Sequence, residues 1–393
     1  MREVNPNKIK RAEIIVGIPS YNEADTISNV VRQVDAGLEK YFRNRKKVII
    51  NTDNNSPDKT GKVFLGTKTK TPKIYISTSP GIRGKGNNFH NLFLKIKNLG
   101  AEAAASIDAD IKSVTAEWVK CLLEPITADY DYVSPLYLRD KNDGTITNHI
   151  CYPLAYGLLG YNIRQPIGGD AGFSKRLVEY WLNQKWTEPV RNYGIDIFMT
   201  SNAIKGGFRL GQVNLGSKIH KPSAPKLGNM FLEVIDTLFK FLSENKNLWQ
   251  KEINLQTLPL ICDAKNKAGY QELSIDNEVI EEKAISEFQE NYKYIKKYIS
   301  QELRSQLEEM FLRKKSLKIT LDLWPEIVYQ LFYLYDINSS NTSIIKFLRA
   351  LYFGRIVSFI KETSGKTQEE SEKIIQKQAH YFFEKRNYLL SLP

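Results

Sequence analysis

The chain has 393 residues, of which 42% are hydrophobic and 25% charged, and a formal net charge of +12. Because this length exceeds what one hydrophobic core usually organises, we expect about two domains. The positive charge is spread along the chain, which argues against a nucleic-acid partner. The sequence has neither an apolar run of about 18 residues nor a signal-peptide core, so we expect a cytoplasmic protein without a transmembrane segment.

Three cysteines, Cys121, Cys151 and Cys262, are widely spaced and odd in number. This spacing predicts no disulfide framework and is typical of a reducing compartment. No two of the cysteines have the spacing of zinc ligands, so a cysteine-based metal site is also not expected.

Apolar runs typical of strands alternate with helical patterns through the first half of the chain. The strand candidates are residues 14–18, 48–50, 73–76, 103–107 and 207–213. The helical patterns are residues 27–42, 89–96 and 115–122, with a glycine loop at 81–88. This alternation predicts an α/β fold with a mostly parallel sheet and crossover helices.

The pattern changes after Pro222 and Pro225. From Leu227 onward the apolar residues recur at helical intervals, which predicts a mostly helical region. We therefore expect an α/β domain in residues 1–225 and a helical subdomain in residues 226–393. The helical region could form the surface of a homodimer, although packing within one chain would give the same pattern.

Two acidic residues, Asp108 and Asp110, follow the apolar run at 103–107 and flank Ala109. Open α/β sheets bind their ligands at the carboxyl ends of the strands. Two carboxylates in that position can hold a hard divalent cation, which can in turn hold a diphosphate. A solvated turn could have the same sequence, so the neighbouring strand ends decide between the two interpretations.

Three more polar segments are expected at the same edge of the sheet. Residues 19–23 (Pro-Ser-Tyr-Asn-Glu) follow the first strand, and residues 53–58 (Asp-Asn-Asn-Ser-Pro-Asp) follow the second. The glycine loop contains Arg83 and Lys85, which could approach phosphates together with backbone amides. A plain glycine loop is the alternative for the last segment, but the convergence of all segments favours a ligand site.

Together these segments resemble the nucleotide-sugar site of GT-A glycosyltransferases, including its Asp-x-Asp (DXD) motif. Residues 165–170 (Gln-Pro-Ile-Gly-Gly-Asp), 193–196 (Tyr-Gly-Ile-Asp) and 218–220 (Lys-Ile-His) follow in the order seen in mannosylglycerate synthases and the related glucosyl-3-phosphoglycerate synthases. The resemblance implies a retaining hexosyltransferase with a GT-A domain. Its donor would be a nucleoside diphosphate sugar, with GDP-mannose favoured over a glucose donor. Its acceptor would be D-glycerate or a glycerate derivative, and its product a compatible solute.

The resemblance also implies roles for individual residues. Asp110 and His220 would be the protein ligands of Mg²⁺ or Mn²⁺, and Asp108 and Asp196 the catalytic carboxylates. A charge at a helix amino terminus would account for Asp196 equally well. Asp170 replaces a family glutamate. Binding of the nucleotide sugar is implied for Pro19, Tyr21, Glu23, Asp53, Lys85, Asp108, Ala109, Gly168, Gly169 and Asp170.

The resemblance places the acceptor at Arg139, Thr147 and Asp196, where an arginine can grip a carboxylate with two hydrogen bonds. The phosphoglycerate enzymes carry an additional arginine where this chain has Thr145, which favours an acceptor without phosphate. Lys141 could replace that arginine, so the phosphorylated acceptor stays open. Residues 140–147 are predicted to form a mobile loop that closes over the activated sugar.

Three other functions fit part of the pattern. A polyprenyl-phosphate glycosyltransferase would use the same donor motifs and rest its helical region on a membrane. A non-catalytic sugar-binding module would bind a cation without turnover, and a nucleotidyltransferase would release pyrophosphate.

Overall fold

The computed structural model describes residues 2–221, 227–264, 269–270, 272–273, 275–313, 316–338 and 341–393. Its strands are β1 (Arg2–Val4), β2 (Ile14–Ser20), β3 (Lys47–Asp53), β4 (Lys73–Ser77), β5 (Ala103–Ser106), β6 (Tyr132–Leu138), β7 (Tyr161–Asn162), β8 (Ala171–Ser174), β9 (Leu210–Ser217), β10 (Gln256–Thr257) and β11 (Leu260–Asp263).

The helices follow the same chain order. They are α1 (Ile27–Tyr41), α2 (Thr60–Gly66), α3 (Lys85–Leu99), α4 (Ala116–Thr127), α5 (Tyr152–Gly157), α6 (Lys175–Leu182), α7 (Glu188–Arg191), α8 (Ile195–Lys205), α9 (Leu227–Glu244), α10 (Asn277–Ile295), α11 (Gln301–Phe311), α12 (Leu323–Ile337), α13 (Thr342–Thr363), α14 (Gln368–Glu384) and α15 (Arg386–Leu390). A π-helical turn, Thr147–Cys151, leads directly into α5.

The described residues divide into two compact units that are each discontinuous in sequence. The first lies within Met1–Arg139, Arg164–Ala224 and Leu258–Gln271, and the second within Asp140–Ile163, Pro225–Thr257 and Glu272–Pro393. The first unit contains the large sheet, whereas the second contains the π-helical turn, α5, α9–α15 and the short β7–β10 pair. The predicted α/β class and the helical character of the carboxyl-terminal region are therefore confirmed.

The domain boundary expected between residues 225 and 226 falls at residues 222–226, which lie outside the described residues, and it stays a prediction. Among the described residues, no helix combines the length and apolar character needed to cross a membrane.

The first unit is built on a nine-stranded sheet with the order β1-β4-β3-β2-β5-β8-β6-β9-β11. β2 is parallel to β3 and β5, and β6 is parallel to β9. β8 is antiparallel to both β5 and β6, so the sheet is mixed. The carboxyl ends of β2, β3, β5, β6 and β9 consequently meet at one edge. Because β8 runs the other way, the residue that precedes it lies at that same edge.

Burial explains why the central elements form. All residues of β2 are buried, as expected for a strand that pairs on both sides and is covered on both faces. On α1, the fully buried Ile27, Val30 and Val34 recur at intervals of three and four residues, so one helical face packs into the core.

The glycine loop ends earlier than predicted, because α3 already begins at Lys85. Gly84 has a φ of +116°, a conformation that favours glycine, and it precedes the helix directly. The backbone N–H of Gly86 donates to the Asn192 carbonyl at 3.0 Å, and a Cβ at Gly86 would lie 1.9 Å from the Val190 carbonyl oxygen. The loop is thus fixed against residues 190–192, and Lys85 stands on the first turn of a helix.

The prediction that the chain lacks disulfides is wrong. Cys121 on α4 and Cys262 on β11 form a disulfide across 141 residues, while Cys151 is free and buried. Sequence spacing could not indicate this bond because it depends on the packing of α4 beside β11. Because a disulfide is present, the cysteines no longer indicate a reducing compartment.

Candidate active site

Polar residues gather at the sheet edge where the parallel strands end. Asp108 and Asp110 follow β5, and Lys218 and His220 follow β9. Asp170 immediately precedes the antiparallel β8, which brings it to the same edge. The structure therefore brings together most of the donor-site residues predicted from the sequence.

Lys85 joins the two predicted catalytic carboxylates. Its Nζ lies 3.1 Å from Asp108 Oδ1 and 3.3 Å from Asp196 Oδ2, and at most a fifth of each of the three side chains is exposed. Burial opposes the ionisation of Asp108, but the charges of Lys85 and Lys218 outweigh it and lower its pKa to about 2. Burial and the charge of Asp108 raise the pKa of Asp196, although Lys85 opposes this shift. Lys85 therefore keeps two buried acids side by side.

Asp170 organises the loop between β7 and β8. Its Oδ1 accepts a hydrogen bond from the backbone N–H of Asp108 at 2.7 Å, and its Oδ2 accepts from Lys218 Nζ at 2.9 Å. The Tyr137 hydroxyl donates to the same Oδ2. Lys218 Nζ also donates to the Gly168 carbonyl at 2.8 Å. Asp170 is 1% exposed, so these protein contacts occupy it and connect it to the backbone of Asp108.

Among the acids at this edge, Asp110 is the one whose negative charge is balanced least by neighbouring groups. Burial, followed by the charge of Asp108, raises its pKa, while Lys218 and His220 oppose the shift. In the described part of the chain, no hydrogen bond or ion pair engages its carboxylate. A carboxylate that burial and a like charge disfavour is suited to a cation, and His220 lies near enough for its charge to act on Asp110.

A metal ion at this position would have few protein ligands. The described residues contain no cluster of three or more histidine, cysteine or acidic side chains arranged to hold a metal. The pair predicted from the sequence, Asp110 and His220, supplies one oxygen and one nitrogen donor. This donor set fits an ion that takes its remaining ligands from a diphosphate and water.

Glu23 lies beyond the end of β2 and belongs to the same electrostatic group. Its Oε2 accepts from Lys221 Nζ at 2.7 Å, and burial is the first cause of its raised pKa. The charge of Asp110 raises it further. Tyr21 lies two residues before Glu23, and the Arg83 guanidinium lies 5.1 Å from the centre of its ring. This contact links the glycine loop to the end of β2.

Asp53 at the end of β3 is fully buried, and neighbouring side chains surround its carboxylate. Oδ1 accepts from the Ser20 hydroxyl at 2.9 Å, and Oδ2 accepts from the Ser56 backbone at 2.8 Å and from the Tyr75 hydroxyl at 2.9 Å. Asp53 thus fixes the ends of β2, β3 and β4 relative to one another. Pro19 on β2 and Ala109 after β5, also predicted for the donor site, are both buried.

Two glycines before β8 let the backbone lie close to neighbouring side chains, one of which is an acid of the site. Gly169 has a φ of +86°, and a Cβ there would lie 2.3 Å from Asp108 Oδ2. A Cβ at Gly168 would lie 2.3 Å from the Pro135 ring. Both approaches require glycine, which agrees with the close backbone approach expected of this segment.

The residues predicted for the acceptor lie in both units. Arg139 follows β6, and its guanidinium lies 4.9 Å from the centre of the Tyr137 ring, which Lys218 Nζ approaches at 4.8 Å. Asp196 stands in the first turn of α8. Thr147 belongs to the second unit, begins the π-helical turn and is 3% exposed.

The loop predicted at residues 140–147 is shorter than expected, because helical structure begins at Thr145. The Thr145 hydroxyl pairs with the Tyr352 hydroxyl, and Lys141 Nζ donates to the Thr363 carbonyl at 2.6 Å. The contact of Thr145 with α13 accompanies the helical second half of the segment, and that of Lys141 holds the first half.

No role was predicted for two residues of the site, Lys218 and Tyr137. Lys218 belongs to the 218–220 segment that carries the family resemblance, and it stands one residue beyond β9. Tyr137 is on β6, which ends at the same edge. From sequence alone, a tyrosine in an apolar strand indicates a residue of the hydrophobic core. Its role depends on the contact with Asp170, which only the folded chain provides.

The family model described as mannosylglycerate synthase, GT domain, matches residues 26–248, more than half of the chain. No curated protein matches the chain.

Two solved structures are similar to parts of this chain. One is glucosyl-3-phosphoglycerate synthase from Mycobacterium tuberculosis in complex with Mn²⁺, UDP and glucosyl-3-phosphoglycerate. It is 23% identical and has a TM-score of 0.49, and the match covers 58% of this chain and 80% of that chain. The same enzyme in complex with Mg²⁺ and UDP gives 23% identity and a TM-score of 0.49, with 58% of this chain and 79% of that chain covered.

Proposed function

The chain belongs to the mannosylglycerate synthase family through its glycosyltransferase (GT) domain, and from this premise we propose a specific reaction. The protein transfers a hexose from a nucleoside diphosphate sugar to D-glycerate with retention of configuration at the anomeric carbon. Mannose from GDP-mannose is the favoured donor, and the product is a glycosylglycerate.

One observation carries the proposal: the buried arrangement of Asp108, Lys85 and Asp196 at the strand ends. Burying three charged side chains costs free energy of desolvation, even when they are paired. We take this cost as support for a functional role of the group. Their position at the carboxyl ends of the strands is where an α/β sheet binds its ligand. Perturbed acids in such a place are candidates for catalytic roles.

The donor would bind with its sugar beside Asp108 and its diphosphate toward Asp110 and His220. Asp108 is ionised at neutral pH, because its pKa is about 2, so it can only accept hydrogen bonds from sugar hydroxyls. Lys85 orients Asp108, and Gly169 leaves the space that a sugar needs against it.

Asp110 and His220 would hold Mg²⁺ or Mn²⁺, which when bound stabilises the negative charge of the departing diphosphate. Asp110→Ala and His220→Ala should each abolish metal-dependent turnover without loss of the fold. Full activity in both variants would contradict the metal assignment.

Asp196 would orient the acceptor hydroxyl toward the anomeric carbon from the same face as the leaving group. Its raised pKa makes it a stronger proton acceptor than an exposed carboxylate. Arg139 would bind the glycerate carboxylate. Lys141, which could have bound a phosphate, instead donates to two backbone carbonyls of the second unit, which supports an acceptor without phosphate.

The test is a matrix of nucleoside diphosphate release. GDP-mannose, GDP-glucose, UDP-glucose and ADP-glucose are each combined with Mg²⁺ or Mn²⁺ and with D-glycerate, 3-phosphoglycerate or glucosylglycerate. The proposal predicts release that requires D-glycerate and is fastest with GDP-mannose. Release that requires 3-phosphoglycerate would replace the acceptor, and release without any dependence on acceptor would overturn the proposal.

A further inference from the structure

The start of α8 carries Asp196 and is fixed to other parts of the first unit on both sides of that residue. Before Asp196, the Asn192 carbonyl accepts a hydrogen bond from the backbone N–H of Gly86 at 3.0 Å. Gly86 follows Lys85 on the first turn of α3. The contact therefore holds the segment that leads into α8 beside the lysine that pairs with Asp196.

Thr200 provides the anchor on the other side of Asp196. It stands four residues later on α8, so the two side chains lie on the same face of the helix. Its hydroxyl donates to the Pro166 carbonyl at 2.6 Å and lies 3.0 Å from the Tyr132 hydroxyl. Because a threonine hydroxyl has a single proton to donate, the Tyr132 hydroxyl must be the donor to Thr200. Thr200 is 1% exposed, so its hydroxyl is used inside the protein and not in solvent.

Both partners of Thr200 belong to parts of the first unit that shape the site. Pro166 lies in the segment before β8, three residues ahead of Gly169, whose backbone lies against an acid of the site. Tyr132 begins β6, and burial raises the pKa of its hydroxyl. The charge of Asp196 raises this pKa further, so Asp196 is near enough to act on the hydroxyl that binds Thr200.

We propose that Thr200 is a positioning residue for Asp196, acting through the placement of the first two turns of α8. This inference rests on the proposed function, in which Asp196 orients the acceptor hydroxyl. The hydrogen bonds within a helix do not fix it against its surroundings, whereas the Thr200 hydroxyl joins α8 to the segment before β8 and to β6. A displacement of about 1 Å at a reacting group can lower a rate by about a hundredfold.

The test compares two neighbouring buried hydroxyls of α8. Thr200→Val removes the hydroxyl and keeps the shape of the side chain. Ser201→Ala is the matched control, because Ser201 is also 1% exposed, but its hydroxyl donates to carbonyls of its own helix, at 2.6 Å for Ile197. The Ser201 hydroxyl therefore joins α8 to no other element.

Steady-state kinetics are measured with GDP-mannose and D-glycerate, at a temperature well below the melting temperature of each variant. Thr200→Val should lower kcat by about tenfold or more, while KM for the donor stays within about twofold of the wild type. Ser201→Ala should keep kcat within about twofold of the wild type.

Thr200→Ser retains the hydroxyl and should keep most of the wild-type kcat. A role in packing alone predicts the opposite order, since valine preserves the shape of the side chain and serine leaves a small cavity. If Thr200→Val fails to fold, Tyr132→Phe replaces it. That variant should lower kcat less, by about threefold, because the Thr200 hydroxyl keeps its bond to the Pro166 carbonyl.

Unchanged kcat in Thr200→Val, or in Tyr132→Phe where it replaces that variant, would overturn this inference and leave the proposed function intact. The same would follow if Ser201→Ala lowered kcat equally, or if Thr200→Ser were as slow as Thr200→Val. A wild-type protein with no acceptor-dependent turnover would overturn both proposals.

Discussion

Lys85 is the residue on which the electrostatics of the candidate site depend most. Two carboxylates, Asp108 and Asp196, face its ammonium group and affect each other's ionisation. Without the ammonium group, two partly buried negative charges would stand together, and one of them would take up a proton.

Lys85→Met should therefore lower both activity and stability. We expect turnover to fall at least about a hundredfold and the free energy of unfolding to fall by about 3 kcal/mol, because one member of a buried ion network is lost. Urea denaturation and steady-state kinetics measure the two effects. Adding Asp196→Asn to Lys85→Met should restore part of the stability but no activity. An unchanged free energy of unfolding in Lys85→Met would show that the network contributes little.

Tyr137→Phe tests whether Asp170 is held as the structure indicates. The variant loses one hydrogen bond to Asp170, while Lys218 and the Asp108 backbone N–H still bind that carboxylate. We expect kcat/KM to fall about tenfold, the equivalent of one hydrogen bond to a charged group. Tyr41→Phe is the control, since that hydroxyl binds Glu117 between α1 and α4. Similar losses in both variants would remove Tyr137 from the site.

At the scale of elements, the segment before β8 shapes the site through its glycines. Gly169 and Gly207 both have a positive φ, of +86° and +65°. A Cβ at Gly169 would lie 2.3 Å from Asp108 Oδ2, whereas a Cβ at Gly207 meets nothing within 4 Å. The two positions share the backbone strain of an alanine and differ only in what its Cβ would contact.

Gly169→Ala and Gly207→Ala should each cost about 1–2 kcal/mol of stability from the left-handed conformation. Only Gly169→Ala should also displace Asp108, and we expect its kcat to fall more than about a hundredfold. Thermal unfolding and kinetics of the two variants side by side provide the measurement. Full activity in Gly169→Ala would mean that Asp108 has more freedom than its contacts indicate.

The elements of the first unit were largely predictable, because burial on both faces makes their strands continuous apolar runs. β2, β3, β4 and β5 lie where the apolar runs indicated, and the acids follow them. The antiparallel β8 was not predicted. Its direction is the reason that Asp170 lies at the sheet edge where the parallel strands end, so this was not predicted either. The lengths of apolar runs do not report the direction in which a strand enters a sheet.

Contacts between distant residues account for most of what the sequence did not reveal. Tyr137 is unremarkable in sequence, and Lys218 lies in a segment that carries the family resemblance but had no predicted role. Each contacts Asp170, which is more than 30 residues away in the chain. The start of α3 at Lys85 was missed because the glycine pattern suggests a loop, whereas contacts with residues 190–192 fix the helix start.

At the scale of the whole molecule, the Cys121–Cys262 disulfide joins two residues of the first unit across a sequence separation of 141. A cross-link of this span restricts the unfolded chain strongly and is expected to stabilise the fold by about 2–5 kcal/mol.

A reductant should therefore lower the melting temperature of the wild type, and it should have no effect on a Cys121→Ala, Cys262→Ala double variant. Differential scanning calorimetry with and without dithiothreitol makes the comparison. Cys151 is present in both proteins, so any effect of the reductant on that free thiol cancels. A wild-type melting temperature that does not respond to reductant would show that the cross-link contributes nothing to stability.

The most direct test of the central claim is the structure of the product. GDP-mannose, Mg²⁺ and D-glycerate are incubated with the wild-type protein, and the product is isolated and its anomeric linkage determined by NMR. We predict a mannosylglycerate with the α-configuration of the donor. Free mannose alone, or a product with the β-configuration, would contradict the assignment of a retaining glycosyltransferase that acts on glycerate.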